Sequence, residues 1–194
     1  MSESNVHHQD GVRLAPVEPR HYPELYRWAI SPDSGFRWRF GGATPGAEKF
    51  VEALWEGVLC QFLAIDSAGR LHGLVVCYSA DHRNGTAYVA VQGNPDLTGS
   101  GAMIGFVLLV DHLFEHWPFR KLYAEIPGYN EQEFGRSVSR HMESEGRLKD
   151  HVFHRGKYWD LAFFALTRTN FYTYSRSRFS RSCGRREAWS SPLR

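Results

Sequence analysis

The feature that most constrains the fold is a series of three apolar runs, followed by a glycine turn and a helical pattern. The apolar runs predict strands at residues 60–65, 71–78 and 86–91. Asn84-Gly85 lies between the second and third runs and is a strong hairpin signal. After the third run, Gly99-Ser100-Gly101 opens a helix that ends at about Trp117, before Pro118.

Weaker patterns on either side complete one domain with mixed secondary structure. Four further strands are predicted at residues 12–17, 121–126, 146–153 and 158–167. Three further helices are predicted at residues 20–30, from Thr44-Pro45 to about residue 58, and at residues 130–142. Strands and helices mix without a repeat, which predicts an α+β fold with a sheet of about seven strands and about four helices.

The chain length and its charge distribution divide the sequence into three parts. Its 194 residues suit one domain, which we place at residues 11–169 after a flexible leader at residues 1–10. Residues 170–194 form an Arg/Ser-rich tail that we expect to be disordered. Six arginines and one glutamate give the tail a charge of +5, which leaves −3 for the rest of a chain with net charge +2. Nucleic-acid contact is therefore expected only through the tail, if anywhere.

The sequence predicts a cytoplasmic protein without a membrane partner. The longest apolar run, residues 102–110, is nine residues long, and about 20 are needed to cross a bilayer. The N-terminus lacks the basic and apolar segments of a signal peptide. The three cysteines lack CxxC spacing, and we expect them to be reduced and structural.

The glycine turn at residues 99–101 has the chemistry of an anion site. Glycines let backbone N–H groups approach a phosphate closely, and a helix N-terminus adds a partial positive charge. The same residues are also common as ordinary helix caps, and they match neither a Walker A nor a GxGxxG motif. The turn alone therefore leaves both interpretations open.

Between residues 130 and 168, a helix starting at Asn130 is followed by Glu145-Gly146-Arg147, by Gly156-x-Tyr158-x-Asp160 and by a last strand. This run resembles the end of the GNAT acetyltransferase fold, especially its ribosomal-protein N-terminal (Rim-type) branch. The resemblance implies a mostly antiparallel sheet and transfer of an acetyl or other acyl group from acyl-CoA to a primary amine. The acceptor would be a protein N-terminus or a small metabolite, and the enzyme a monomer or homodimer that needs no metal.

The resemblance also implies which residues bind CoA and perform the chemistry. The CoA-binding residues would be Gly99, Ser100, Gly101, Ala102, Met103 and Asn130. Glu125 lies where some relatives carry a general base, although it could equally be a carboxylate paired at the sheet edge. Ser137 stands where the family usually has the tyrosine that protonates the thiolate, so the proton donor would be its hydroxyl, a water molecule, Tyr129 or Tyr158. Asp96 replaces a phosphate-binding Arg or Gln and is expected to repel phosphate.

The acceptor pocket would lie between the first two helices and the final hairpin. Arg37, Trp38, Trp55 and Tyr158 are the residues predicted to bind the acceptor, through aromatic surface and positive charge. The alternative is that these aromatic residues belong to the core and that the arginines reach past it into solvent.

Two rival functions belong to other classes. A GNAT-fold protein that binds acyl-CoA or a partner without turnover would account for Asp96 and Ser137. A zinc hydrolase would use the HxxEH run of His112, Glu115 and His116, although no third ligand follows in a convincing context. His151 and His154 are predicted to point to opposite faces of a strand at the protein surface.

Overall fold

The computed structural model describes residues 8–9, 11–32, 34–37, 39–131 and 142–173. The described strands are β1 His8–Gln9, β2 Val12–Pro16, β3 Val58–Asp66, β4 Leu71–Asp81, β5 Thr86–Gly93, β6 Lys121–Pro127, β7 Glu143–His154 and β8 Lys157–Thr167. The α-helices with both ends described are α1 Tyr22–Ala29, α2 Ala47–Trp55 and α3 Gly101–His116. Short 3-10 turns occur at Pro19–His21, Gly35–Arg37 and Gly128–Asn130.

All these strands form one sheet in the order β1-β2-β3-β4-β5-β6-β8-β7. Every neighbouring pair is antiparallel except β5 and β6, which run parallel. A parallel pair needs a crossover connection, and α3 provides it. The predicted α+β class, with a mixed and mostly antiparallel sheet, is confirmed.

The crossover helix α3 covers one face of the sheet. Its buried residues Leu109, Leu113 and Phe114 pack with alternate residues of the central strands, such as Val89 on β5 and Leu122 on β6. Because side chains alternate along a strand, Tyr88 and Glu125 on the same strands lie on the opposite face.

The opposite face is covered only in part. Helices α1 and α2 pack on β2, β3 and β4 through a second core that includes Trp28, Phe50 and Leu63. Trp28 and Leu63 have no exposed surface and Phe50 is 2% exposed, so this half of the sheet is well sealed. Neither α1 nor α2 belongs to the core over β5 and β6 on this face.

The start of α2 differs from its prediction. The helix begins at Ala47 with Gly46 as its N-cap, and Thr44 and Pro45 lie before it. The hydroxyl of Tyr26 on α1 donates a hydrogen bond to the carbonyl of Pro45 at 2.8 Å, which holds this residue outside the helix. A contact between segments 19 residues apart thus overrides the local start signal.

Regular secondary structure extends past both ends of the predicted domain, residues 11–169. The predicted leader contains β1, which pairs with β2. Residues 168–173 are helical after β8, while residues 174–194, most of the predicted tail, lie outside the described residues. Most of the predicted helix at 130–142 also lies outside them.

No helix within the described ranges is long and apolar enough to span a membrane.

Candidate active site

The sheet opens into a cleft where β5 and β6 separate. These strands pair only between residues 86–88 and 121–123, although β5 continues to Gly93 and β6 to Pro127. A cavity of about 810 Å³ occupies the gap. Its walls include Val89 and Phe106 from the α3 face and Tyr78 and Glu125 from the opposite face. The cavity therefore passes through the sheet and connects its two faces.

At the α3 face, the cavity meets the N-terminal end of a helix of 16 residues. Met103 in the first turn of α3 lines the cavity. The preceding turn needs Gly99, whose φ of +116° is a conformation that residues with a side chain rarely adopt. The predicted CoA-binding residues 99–103 thus form the turn and the first turn of α3, with the helix N-terminus at the cavity mouth.

Glycine is required at position 101 because His72 lies too close to the start of α3 to leave room for a side chain. A Cβ atom on Gly101 would lie 2.3 Å from Nδ1 of His72, far inside van der Waals contact. Nε2 of His72 in turn lies 3.1 Å from Oδ2 of Asp66, and this carboxylate also accepts hydrogen bonds from the backbone N–H groups of Ala68 and Arg70. The turn between β3 and β4 therefore supports the first residue of α3.

Asp96, which lies just before this turn, is paired with a cation that the sequence does not reveal. Nη2 of Arg27 on α1 lies 2.7 Å from Oδ2 of Asp96. The backbone N–H of Asp96 also donates to Oδ1 of Asn94. The pair is exposed, so its net energy is small, but the guanidinium offsets the charge that would otherwise repel a phosphate.

Asn130 lies at the far end of the gap, in the 3-10 turn after β6. It is buried, with 7% of its surface exposed, and it lines the cavity. Its Oδ1 atom has no hydrogen-bond partner among the described residues. A buried amide oxygen without a partner is costly, which makes Asn130 a candidate ligand-binding group.

Glu125 lies on the cavity wall opposite α3. Glu125 as a whole is exposed, but partial burial of its carboxyl raises the pKa of that group above the ordinary value, and the nearby His151 partly lowers it again. Burial, followed by the charge of Glu125, raises the pKa of Tyr78 to about 12. The same causes raise the pKa of Tyr88. Glu125 is therefore a carboxylate with raised basicity beside two tyrosines that stay protonated at neutral pH.

The surface positions predicted for His151 and His154 do not show how these residues relate to the cavity. Pairing between β7 and β8 shifts register between Leu148 and Val152, and Asp150 has a φ of +48°. This bulge interrupts the strand next to His151. His151 is exposed and lines the cavity, and the ring of His154 stacks on Phe36 with 3.9 Å between ring centroids.

Of the four residues predicted to bind the acceptor, the structure brings one to the cavity. Arg37 lines it, with its guanidinium 5.3 Å from the centre of the Phe36 ring. Trp55 is 44% exposed and contacts Tyr22 instead, and Tyr158 is 61% exposed and does not line the cavity. Trp38 lies outside the described residues, as does Ser137. Arg39, Phe36 and Tyr129 also line the cavity.

The HxxEH run lies away from this cavity, on the C-terminal half of α3. Nδ1 of His116 lies 2.9 Å from the carbonyl oxygen of His112, and the His112 ring packs edge-on against Phe62. No group of three or more His, Cys, Asp or Glu side chains in the described parts of the chain could hold a metal ion. Nothing in this geometry favours the zinc hydrolase.

Comparison with known proteins shows which fold this is. The spermidine N-acetyltransferase of Vibrio cholerae in complex with CoA and spermine superposes with a TM-score of 0.74 at 16% identity, over 84% of this chain and 99% of that one. A GCN5-related N-acetyltransferase (GNAT) of Brucella melitensis gives a TM-score of 0.69 at 21% identity, over 92% and 86% of the two chains. The chain has the GNAT fold.

The sequence comparisons give weaker signals than the structural ones. An uncharacterized prophage-derived N-acetyltransferase of Bacillus subtilis is 23% identical over 124 residues, which are 63% of this chain and 70% of that protein. No family model matches the chain. The GNAT fold predicted from the run at residues 130–168 is therefore confirmed, and the catalytic and binding roles of individual residues stay predictions.

Proposed function

We propose that this GNAT-fold protein is an N-acyltransferase that moves an acetyl or other acyl group from acyl-CoA to a primary amine. The observation that carries the proposal is the cavity through the split sheet. It connects a helix N-terminus suited to phosphates with a carboxylate of raised pKa on the opposite face. The fold neighbours support it, since they are N-acetyltransferases and one of them was solved with CoA and spermine.

The acyl-CoA would enter from the α3 face. Its pyrophosphate would accept hydrogen bonds from the backbone N–H groups at residues 99–103, where the helix dipole favours negative charge. Its thioester arm would extend between residues 89–91 and 124–127, where the two strands no longer pair. Backbone groups there face the gap and can bind the amides of the arm like an added strand. Asn130 would bind the arm through its Oδ1 atom, which has no partner among the described residues.

The amine would enter from the opposite face and react directly with the thioester. An amine arrives as an ammonium ion, so Glu125 would first remove a proton, directly or through one water. The neutral nitrogen then attacks the carbonyl carbon, and the C–N bond forms as the C–S bond breaks to release the CoA thiolate. The attacking nitrogen loses its second proton, and the thiolate takes up one proton. The products are an N-acyl amide and CoA thiol, with one proton released to solvent overall.

Tyr129 would deliver the last proton. It lines the cavity beside Asn130, and burial raises the pKa of its hydroxyl, so the hydroxyl is protonated at neutral pH. Tyr158, the other tyrosine considered from the sequence, is largely exposed outside the cavity. Ser137 remains a sequence-based prediction for this step. With either proton donor, the proposed reaction uses no metal ion.

The acceptor is proposed to be a protein N-terminus or a small amine. The resemblance of residues 130–168 to the Rim-type branch favours a protein N-terminus. The spermine in the Vibrio cholerae complex favours a small amine. A non-catalytic CoA-binding role is less well supported than it was from the sequence, because Arg27 pairs with Asp96.

A thiol-release assay tests the proposal. Purified protein, acetyl-CoA and a panel of peptides and small amines should release CoA thiol together with an N-acetyl product identified by mass spectrometry. Glu125→Gln should lower kcat by about 100-fold or more and leave the affinity for acetyl-CoA unchanged, the usual scale for loss of a general base.

Glu48→Gln, an exposed change on α2 away from the cavity, is the matched control and should keep full activity. Absence of thiol release with every amine would contradict the proposed function. An unchanged rate in Glu125→Gln would remove Glu125 from the mechanism.

A further inference from the structure

Two cysteine side chains meet on the face of the sheet that α3 covers. Cys60 on β3 and Cys77 on β4 are direct partners in the antiparallel register, although residues 61–76 lie between them in sequence. Side chains of directly opposite residues lie next to each other on the same face of a sheet. Both cysteines accordingly belong to the core against α3, where Cys77 has no exposed surface and Cys60 is partly buried.

The strand pairing meets the main distance requirement of a disulfide bond. Cα atoms of directly opposite residues in antiparallel strands lie about 4.5 or 5.5 Å apart, according to the type of pair. Cα atoms joined by a disulfide usually lie about 4.4–6.8 Å apart, so either type of pair fits. The register also shifts between Val58 and Cys60, and this bulge interrupts the regular ladder next to Cys60. We therefore expect the backbone beside the pair to adjust to a disulfide more easily than an uninterrupted ladder would.

The two thiols differ in reactivity and in access. A hydrogen bond from the Cys77 thiol lowers the pKa of Cys60, although burial partly opposes this effect. The same hydrogen bond, and then burial, raises the pKa of Cys77. The thiolate is the reactive form of a cysteine in disulfide exchange. Cys60 is thus the thiol that an oxidant reaches and reacts with first, and Cys77 lies directly beside it as the second thiol.

We propose that Cys60 and Cys77 are a reversible oxidation site, which forms a disulfide on reaction with a small-molecule disulfide such as oxidised glutathione. The Cys60 thiolate attacks one sulfur atom of the oxidant, which forms a mixed disulfide at Cys60 and releases the first glutathione thiolate. The Cys77 thiol then loses its proton and attacks the Cys60 sulfur atom, and the second glutathione thiolate leaves. The pair loses two electrons and two protons, which the oxidant takes up to become two glutathione thiols.

The disulfide would join β3 to β4 within the core and close a loop over residues 61–76. A link that closes a loop of this length stabilises a folded protein mainly by restricting the unfolded chain, and it should lower the equilibrium constant for unfolding by about 100-fold. Neither cysteine lines the cavity between β5 and β6. The inference therefore does not depend on the proposed acyltransfer.

The test is oxidation of the reduced, full-length protein in mixtures of reduced and oxidised glutathione, followed by blocking of free thiols with N-ethylmaleimide. Mass spectrometry should find the protein lighter by two hydrogen atoms before blocking. Trypsin cleaves after Lys49, Arg70 and Arg83, so the two cysteines fall on separate peptides, 50–70 and 71–83. We expect these two peptides to be joined by a bond that dithiothreitol breaks.

The same titration in urea measures how well the folded protein accommodates the bond. By thermodynamic linkage, the factor by which the disulfide lowers the unfolding constant is also the factor by which folding favours oxidation of the pair. The equilibrium constant for oxidation by glutathione should therefore be about 100-fold larger in the folded protein than in the urea-unfolded protein.

Three variants assign the two steps. Cys77→Ala removes the second thiol, so the reaction should stop at a mixed disulfide with one glutathione on Cys60. Cys60→Ala should leave Cys77 unmodified in the folded protein, because Cys77 has no exposed surface. Cys183→Ala removes the third cysteine of the sequence and is the matched control, which should form the link as the unmodified protein does.

Several results would overturn the inference. They are two thiols that stay free at a high ratio of oxidised to reduced glutathione, a mixed disulfide that persists on Cys60 in the unmodified protein, and a link from Cys60 to Cys183 instead of Cys77. An oxidation constant no larger in the folded protein than in urea would also overturn it, since the folded geometry would then not favour the bond. Absence of acyl transfer in the thiol-release assay would contradict the proposed function alone.

Discussion

Gly101→Ala is predicted to disturb the acyl-CoA site through one steric contact. The added Cβ would lie 2.3 Å from Nδ1, 2.4 Å from Cγ and 2.9 Å from Cβ of His72. Because carbon atoms pack at about 3.5 Å or more, the ring or the helix start must move by about 1 Å. Asp66 holds the ring, whose side chain is only 17% exposed, so the ring cannot swing freely into solvent. Overpacking of this kind costs about 1–3 kcal/mol.

The direction of the effect distinguishes this contact from a general helix effect. Alanine is a better helix former than glycine by up to about 1 kcal/mol, so propensity alone predicts a stabilised protein. The contact with His72 predicts the opposite, a lower free energy of unfolding. A shifted helix start also moves the phosphate-binding N–H groups, so we expect KM for acetyl-CoA to rise about 10-fold, equivalent to about 1.4 kcal/mol.

A double-mutant cycle measures the contact. Gly101→Ala, His72→Ala and the double variant are compared by denaturant unfolding and by KM for acetyl-CoA. If the clash is real, His72→Ala removes it, and the double variant should be more stable than the sum of the single effects predicts by about 1–2 kcal/mol. Additive effects, or an unchanged KM in Gly101→Ala, would refute the reasoning that His72 positions the start of α3.

Two further predictions concern charges at the site. Partial burial raises the pKa of Glu125, and the base must be deprotonated to act, so kcat/KM should rise with pH around a pKa above the ordinary glutamate value. This rise should be absent in Glu125→Gln. A rise centred on the ordinary glutamate pKa would show that the carboxyl is not shielded from solvent. Arg27→Ala should raise KM for acetyl-CoA by about 3- to 10-fold, because it leaves the charge of Asp96 uncompensated beside the phosphate site. The double variant with Asp96→Asn should recover most of this loss. If it does not, Arg27 acts in another way.

The strands are predicted well because the sequence patterns that mark them are local. Apolar runs and the Asn84-Gly85 turn place the strands, and the glycine turn places the start of α3 at Gly101. The early start predicted for α2 is wrong because the hydrogen bond from Tyr26 holds Pro45 outside the helix. Local patterns are reliable where no distant contact competes with them.

The sequence predicts the turn at residues 99–101 that precedes α3, but it does not reveal the contacts around the rest of the cavity. The ion pair of Asp96 with Arg27 joins residues that are 69 positions apart in sequence, so no local pattern reveals it. Alternation along β7 predicts His151 and His154 at the surface, and neither the shifted register near Asp150 nor the place of His151 in the cavity wall follows from that pattern.

A crystal structure of the protein with CoA bound would show directly whether the split between β5 and β6 is the acyl-CoA site. We expect electron density for the pyrophosphate at the backbone N–H groups of residues 99–103. We also expect density for the thiol arm between β5 and β6, with the sulfur atom on the Glu125 side of the gap. CoA bound elsewhere on the chain, or a gap that stays closed to the arm at saturating CoA, would show that this cleft is not the acyl-CoA site.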